Sequence, residues 1–477
     1  MPKKNGLYAW KECIDLDIAK VNELYAKYVN PGQLKLISSF GFGRVLVEKA
    51  QGMYISTRDG RKILDFTGGI GVLSHGHNHP RILAARIEYQ KMGLMEVHKN
   101  FLSPFVVGLS HNIAKLFPKD LCISYFCNSG AEAAEGAVKL AYKSHAGDRK
   151  FILTSDISFH GKLLGSAGLT ASKELTFKFP TIPNVERFRY NDINSVREKV
   201  EKLRKGNGKS DIYAIILEPF SASSLRECSK EFLEELRKIC TKEGIVLIYD
   251  EVFTSWAKSG ELFYFMKHGI VPDIVTYSKS FGGGKSSISG FTTRPKIFKK
   301  AYGSLQHALL HSTTYNAFGE ECVTAMEAIN VIVEDGYVER SKEIHKVLNR
   351  GLLDLQKKYP NIISEVRGSG ALNGIVPNGD LPSLIAPLLK LVPIDFVRDP
   401  RFSQKLVVSA IISELFNSYD ILTYYGDNRE IPLILSPSLI VTKEEMERVL
   451  DALDKVLKQG KYILMAKFIR QKFLKRP

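Results

Sequence analysis

Three apolar runs of this chain each end on a residue able to do acid–base or nucleophilic chemistry. YAIIL reaches Glu218, GIVLIY reaches Asp250, and DIVTYS reaches Lys279, which a run of three glycines soon follows. One strand ending in a charge usually marks a salt bridge or a solvated edge; three in succession are the signal. In parallel sheets, ligands gather beyond the carboxyl ends of the strands, where all three residues would stand. A lysine amine stripped of water loses basicity and becomes a nucleophile toward aldehydes, with a Schiff base as the product.

An aldehyde cofactor answers that chemistry. Pyridoxal phosphate joins a lysine as an imine, needs a carboxylate beside its pyridine nitrogen and needs a cradle for its phosphate. Asp250 is the candidate carboxylate. The candidate cradle is Asn128-Ser129-Gly130-Ala131-Glu132-Ala133, where an apolar strand stops and a helix begins. Free N–H groups and the helix dipole would receive a phosphate there, with the Ser129 hydroxyl as a further donor. Alone, Ser-Gly before a helix is an ordinary N-cap.

The elements that must position these residues are legible from Cys122 to about Phe291. SYFCNSG, KFILTS, IYAIILEP, GIVLIYDEV and DIVTYSK read as strands, and AEAAEGAVKLAYKSH and SKEFLEELRKICTKEG as helices. Such alternation predicts an α/β fold whose large domain has a mostly parallel central sheet between helices. The flanks predict a smaller α+β domain built from both termini. Residues 1–60 supply N-terminal helices and the start of a hairpin turning at Asp59-Gly60, 61–325 the large domain, and 326–477 the C-terminal unit.

At 477 residues, 44% hydrophobic and 25% charged, the chain has the composition of a soluble globular protein. It has no apolar run long enough for a membrane span and its start lacks a secretory signal, so a cytoplasmic location is expected. Six scattered cysteines, with no histidines at metal-ligand spacing, read as buried free thiols and leave metal out of the expected site. The net charge of +16 suits anionic partners, but no nucleic-acid motif accompanies it. Seven Lys or Arg lie in the tail 458–477, interleaved with Ile463, Leu464, Phe468 and Phe473. That pattern fits a helix docked on its own protein or peripheral contact with an anionic membrane.

Several motifs together resemble the class III aminotransferases of the fold-type I pyridoxal phosphate enzymes: LDFTGGIGVLSHGHNHP, FCNSGAEAAEGAVKLA, ISFHGKLLGSAGLT, ILEP, IYDEV, YSKSFGGG and HSTTYNA. The likeness runs from about Tyr28 to Thr442, and YVNPG and FCNSG are most similar to putrescine and related diamine aminotransferases. The resemblance implies that Lys279 carries pyridoxal 5'-phosphate as a Schiff base and moves the substrate proton, while Asp250 pairs with the pyridine nitrogen. It implies that Phe159 stacks on the ring, with His160 beside it among the cofactor-binding residues, and that Ser129, Gly130 and Ala131 hold the phosphate. Glu218 takes a supporting polar role. Phe253 stands where many relatives place a glutamine near the ring hydroxyl. Thr314 would reach the phosphate of a neighbouring subunit's site, so the resemblance implies a homodimer with shared active sites.

The chain departs from the family at its carboxylate-binding device. FSASSL, Phe220 to Leu225, replaces the usual glutamate-bearing run, and about Ile434 stands where the usual arginine would; Arg429 is a candidate substitute. An arginine holds a carboxylate through two parallel charge-assisted bonds, which isoleucine cannot imitate. The segment 377–402 is rich in Leu and Ile and reads as a satellite core, a dimer contact or a lid over an apolar tunnel. The expected reaction moves an amino group from a primary ω-amine, diamines and long-chain or lipid-linked amines included, to a carbonyl acceptor in two half-reactions. The alternatives are an aminomutase, epimerase or decarboxylase on the same scaffold, or a binding protein without turnover.

Overall fold

The computed structural model describes residues 6–97, 100–118, 120–172, 177, 179–380 and 399–473. Near the N-terminus, helices Ile18–Tyr28 and Pro31–Ser39 precede three antiparallel strands, β1 (Val47–Gln51), β2 (Tyr54–Thr57) and β3 (Lys62–Asp65). The turn at Asp59-Gly60 joins β2 to β3, with the Gly60 amide donating to the Thr57 carbonyl at 3.0 Å. Asn30 caps the second helix by accepting from the Gln33 amide, and Pro31 occupies its first turn, where no N–H is needed.

The central sheet has seven strands: β4 (Ile123–Cys127), β5 (Phe151–Ser155), β6 (Val185–Phe188), β7 (Ile212–Leu217), then β10 (Val246–Asp250), β11 (Ile274–Tyr277) and β12 (Ser289–Thr293). Between β7 and β10 lies a small hairpin, β8 (Phe220–Ser221) and β9 (Arg226–Glu227). The spatial order is β4-β12-β11-β10-β7-β5-β6, parallel throughout except that β12 runs antiparallel to both neighbours. Every residue of β7, β10 and β11 is buried, as continuous apolar strands covered on both faces must be. Helix Lys230–Glu243 shows how the cover forms: Ser229 caps it by accepting from the Phe232 amide, and Phe232, Leu233, Leu236 and Cys240 make one buried stripe.

The C-terminal part pairs β13 (Ile363–Ser369) with β14 (Leu372–Pro377), and adds β15 (Ile421–Leu422), β16 (Tyr424–Tyr425) and β17 (Leu433–Leu435). Here the order is β13-β14-β17-β16, while β15 joins β3 in parallel, so residues from both ends of the chain share a sheet. The terminal helix Lys461–Phe473 turns Leu464, Met465, Phe468 and Ile469 into the core, where Phe468 meets Phe40 with ring centroids 5.8 Å apart. Two of the residues read as possible membrane contacts, Leu464 and Phe468, are thus engaged by the protein itself; Ile463 is exposed. Among the described residues no helix is long and apolar enough to cross a membrane. Of the six cysteines four are buried; Cys13 is exposed and Cys122 half-buried, which corrects the expectation for those two. Most of the apolar segment 377–402 lies outside the described residues, and with it the satellite-core, dimer-contact and lid readings.

Candidate active site

Glu218, Asp250 and Lys279 stand at or just past the carboxyl ends of β7, β10 and β11, three neighbours in the sheet. Lys279 has φ +49, a left-handed backbone that turns the chain sharply off its strand. Its Nζ donates to the Ile70 carbonyl at 3.0 Å and lies 4.1 Å from the centroid of the Phe253 ring. The side chain keeps some surface open to solvent, while surrounding protein desolvates the amine and lowers its pKa to about 8, against the pull of Asp250 and Glu218 toward the charged form.

Ile70 belongs to the turn Thr67-Gly68-Gly69-Ile70-Gly71, in which the last four residues all have positive φ. Glycines make such a run accessible, whereas a β-branched residue there carries strain of about 1–2 kcal/mol. Asp65 fixes the turn by accepting from the Thr67 amide (2.8 Å) and hydroxyl (2.6 Å) and from the Gly68 amide (3.2 Å). Ser280, beside Lys279, donates to the Gly71 carbonyl at 2.8 Å, so the lysine and the turn are joined twice.

The Asp250 carboxylate is buried and held on three sides. One oxygen lies 2.6 Å from His160 Nδ1; the other accepts from the Thr276 hydroxyl at 3.0 Å and the Val252 amide at 3.1 Å. Glu218 accepts from the Phe159 amide at 2.9 Å, which ties the half-exposed Phe159 ring to the sheet. Burial, then the negative Asp250 nearby, pushes the Glu218 carboxyl up to about 8.

Helix Gly130–Ser144 starts beside these strand ends. Ser129 caps it by accepting from the Glu132 amide at 3.2 Å, and the Ala133 amide donates to the Ser129 carbonyl. The amides of Gly130 and Ala131 have no acceptor among the described residues, the usual condition of a helix start. A Cβ added at Gly130 would meet Val252 Cγ1 at 2.7 Å, so the helix start presses directly on the loop that follows Asp250.

Phe253 and Tyr424 are the half-buried face of an apolar cluster made of Phe220, Ala222, Leu225, Tyr264, Leu372 and Ile434. The two departures noted in the sequence, the 220–225 run and Ile434, therefore belong to one buried cluster. Arg429 is 68% exposed and reaches Asp156 at 3.5 Å. Thr314 is exposed on the segment 303–318, where Leu305, Leu309 and Tyr315 are exposed too. Sequence reasoning missed Thr276, Ile70 and Lys258. The last is fully buried; its Nζ donates to the Pro437 carbonyl at 2.9 Å, and burial lowers its pKa to about 7.

The family model for class III aminotransferases matches residues 41–457. The chain belongs to the class III aminotransferases. It is 29% identical over 456 residues to a putrescine aminotransferase from Pectobacterium atrosepticum, covering 93% of this chain and 90% of that one. Its fold is similar to that of ornithine aminotransferase from Toxoplasma gondii ME49, with TM-score 0.79 and 21% identity over 95% of this chain and 98% of the other. It is also similar to an amine transaminase from an uncultivated Pseudomonas species in its PLP-bound form, with TM-score 0.75 and 20% identity over 87% and 95% of the two chains. The expected fold-type I architecture is the one these neighbours have.

This class III aminotransferase works with pyridoxal 5'-phosphate. Its residues fit the group: two unpartnered amides and a hydroxyl at a helix start suit a phosphate, a fixed buried carboxylate suits a pyridine nitrogen, and an amine of lowered basicity suits an aldehyde carbon.

Proposed function

We propose that the site built on Lys279, Asp250 and the start of helix Gly130–Ser144 moves an amino group from a primary amine, diamines included, to a carbonyl acceptor. The observation that supports this most is the convergence at adjacent strand ends of a desolvated amine, a triply held carboxylate and a helix start with two free amides. The cofactor, when bound, withdraws electrons from the substrate's reacting carbon. The rest is the work of the chain. Lys279, with its pKa near 8, is neutral in an appreciable fraction at physiological pH, so its Nζ can make the covalent attachment and later take and return a proton. The Ile70 carbonyl and the Phe253 ring set where that nitrogen waits.

In this reading Asp250, kept in place by His160, Thr276 and the Val252 amide, would pair with the pyridine nitrogen, and Phe159, its amide held by Glu218, would pack on the ring. Ser129, Gly130 and Ala131 take the phosphate. The likeness to a putrescine aminotransferase supports an amine donor without an adjoining carboxylate. The exposed apolar residues around Thr314 support a homodimer in which that threonine serves the partner's site, and the unpaired thiols suit the cytoplasm.

The test has two readouts. The visible band of the loaded protein is followed while single amines are added with no acceptor present; loss of the band with release of a carbonyl product is expected. Borohydride reduction followed by peptide mapping should place the cofactor's mass on Lys279. Attachment at the fully buried Lys258 would overturn the assignment.

A further inference from the structure

Lys258 is a fully buried amine that the proposed reaction leaves unused, and three parts of the chain meet at it. It lies in the loop that follows Asp250. Its carbonyl accepts from the Ala371 amide at 2.9 Å and the Ser341 hydroxyl at 3.2 Å, which anchors the residue to the C-terminal unit. Its Nζ donates to the Pro437 carbonyl at 2.9 Å and lies under the turn at Gly68, where an added Cβ would stand 3.6 Å from it. Burying an amine against one neutral acceptor opposes folding, and a methionine would fill the same space without that cost. What the lysine supplies and a methionine does not is a donor for Pro437.

Pro437 belongs to the run 436–439, which continues from β17 and crosses the turn that receives Lys279. The Ser436 amide donates to the Phe66 carbonyl at 2.9 Å, the Leu439 amide to the Ser74 carbonyl at 2.8 Å, and the Ser438 hydroxyl to that same carbonyl at 2.9 Å. Between these bonds the two segments press together: a Cβ at Gly68 would stand 2.5 Å from the Ser436 carbonyl oxygen, so the pair closes only over a glycine. On its other side the turn is joined to the reacting lysine. The Ser74 and Ser280 hydroxyls are bonded at 2.6 Å, Ser280 donates to the Gly71 carbonyl at 2.8 Å, and the Ile70 carbonyl receives Lys279 Nζ at 3.0 Å. Lys258, Ser436, Ser438, Ser74 and Ser280 are all buried, so a bond lost along this path is not readily replaced by water.

We infer that Lys258 is a positioning residue for Lys279: by fastening the Pro437 carbonyl it fixes the 436–439 run, the run fixes the 66–74 turn, and the turn fixes the Ile70 carbonyl on which the Lys279 nitrogen rests. The proton that Lys279 moves is taken from the aminotransferase reading; the path of contacts stands without it. A nitrogen that must meet a substrate carbon is sensitive to its placement, since a shift of about 1 Å can cost about 100-fold in rate. Lys258 touches neither substrate nor cofactor in this role and acts only through the backbone it holds.

Two full-length variants test it at pH 8, where burial has already neutralised most of Lys258 and its charge contributes little. Lys258→Met removes the donor to Pro437, and Ser438→Ala removes a second bond between the same run and the turn without disturbing the amine. In the apoenzyme, hydrogen exchange at the Leu73, Ser436 and Leu439 amides should quicken about fivefold in each variant, the effect of one lost buried bond, while β7 and β10 stay protected. Addition of pyridoxal 5'-phosphate should then develop the visible band at least fivefold more slowly than in the parent. In the loaded enzyme, the phase of band loss that is slower with 1,1,4,4-tetradeuterated than with ordinary putrescine should slow at least fivefold, with the half-saturating putrescine concentration held within twofold. Unchanged exchange in both variants, or faster exchange with unchanged rates of band formation and band loss, would overturn the positioning role. A parent whose band forms on Lys279 but ignores putrescine would count against the donor reading alone, and band formation in the two variants would then decide the role of Lys258.

Discussion

Gly130→Ala tests the phosphate cradle without touching a titratable group. The added methyl would lie 2.7 Å from Val252 Cγ1, 3.1 Å from Cγ2 and 3.5 Å from Ser278 Cβ. Carbon atoms rest at about 3.5–4.0 Å, so either Val252 or the helix start must yield by about 1 Å. Val252 is restrained, because its amide donates to Asp250. Overpacking of this kind costs about 1–3 kcal/mol, offset in part by alanine's better helix propensity. If the displaced amides of Gly130 and Ala131 are those that receive the phosphate, pyridoxal 5'-phosphate affinity should fall by about 5- to 150-fold, the equivalent of 1–3 kcal/mol. Titration of the apoenzyme with pyridoxal 5'-phosphate and, separately, with pyridoxal gives the decisive comparison. The phosphorylated form should weaken while pyridoxal stays within about threefold, and Val252→Ala in the same chain should restore much of the loss by making room. Equal weakening of both ligands, or a lowered Tm with unchanged affinity for the phosphorylated one, would refute the cradle.

Glu218, pushed up to about 8, is protonated in the folded apoenzyme at pH values where the unfolded chain ionises it. Stability contributed by that proton is present below about 4.5 and is lost as pH rises through 8, so the Tm of Glu218→Gln should gain on the parent between pH 5 and 8; a constant difference would refute it. Lys258 has the opposite sign of cost: with its pKa down to about 7, the folded state is penalised fully below pH 7 and progressively less toward 10.5. Denaturant unfolding should therefore show Lys258→Met at its greatest advantage near pH 6, and the advantage should fade by pH 10, apart from a pH-independent loss of about 1 kcal/mol for the bond to Pro437. The proposed homodimer is tested by Leu305→Asp with Leu309→Asp, both on the exposed segment near Thr314: the parent should sediment as a dimer and the variant as a monomer with looser cofactor retention, and a monomeric parent or an unchanged sedimentation coefficient would count against that interface.

What could be read from the sequence was local, and what could not was relational. β7, β10 and β11 are continuous apolar runs, and each reaches its chemical residue at its end or within two positions of it, so one pass along the chain finds Glu218, Asp250 and Lys279. β12 escaped that reading because Ser289-Gly290-Phe291-Thr292-Thr293 has little strand signal of its own; it is a strand because β4 and β11 pair with it on either side. β6 escaped because charges interrupt it. Nothing in FHG or YDE says that His160 holds Asp250 across 90 residues, and nothing in TGGIG says that the Ile70 carbonyl receives the Lys279 amine across 209. Lys258 was invisible for a related reason. A lysine between Ala257 and Ser259 reads as solvated, since lysines are almost never fully buried without a partner, and only the fold reveals the Pro437 carbonyl that receives it. The same limit applied to the carboxylate device: the sequence showed two substitutions more than two hundred positions apart, whereas the fold gathers Phe220, Leu225 and Ile434 into one buried apolar cluster against which Phe253 packs.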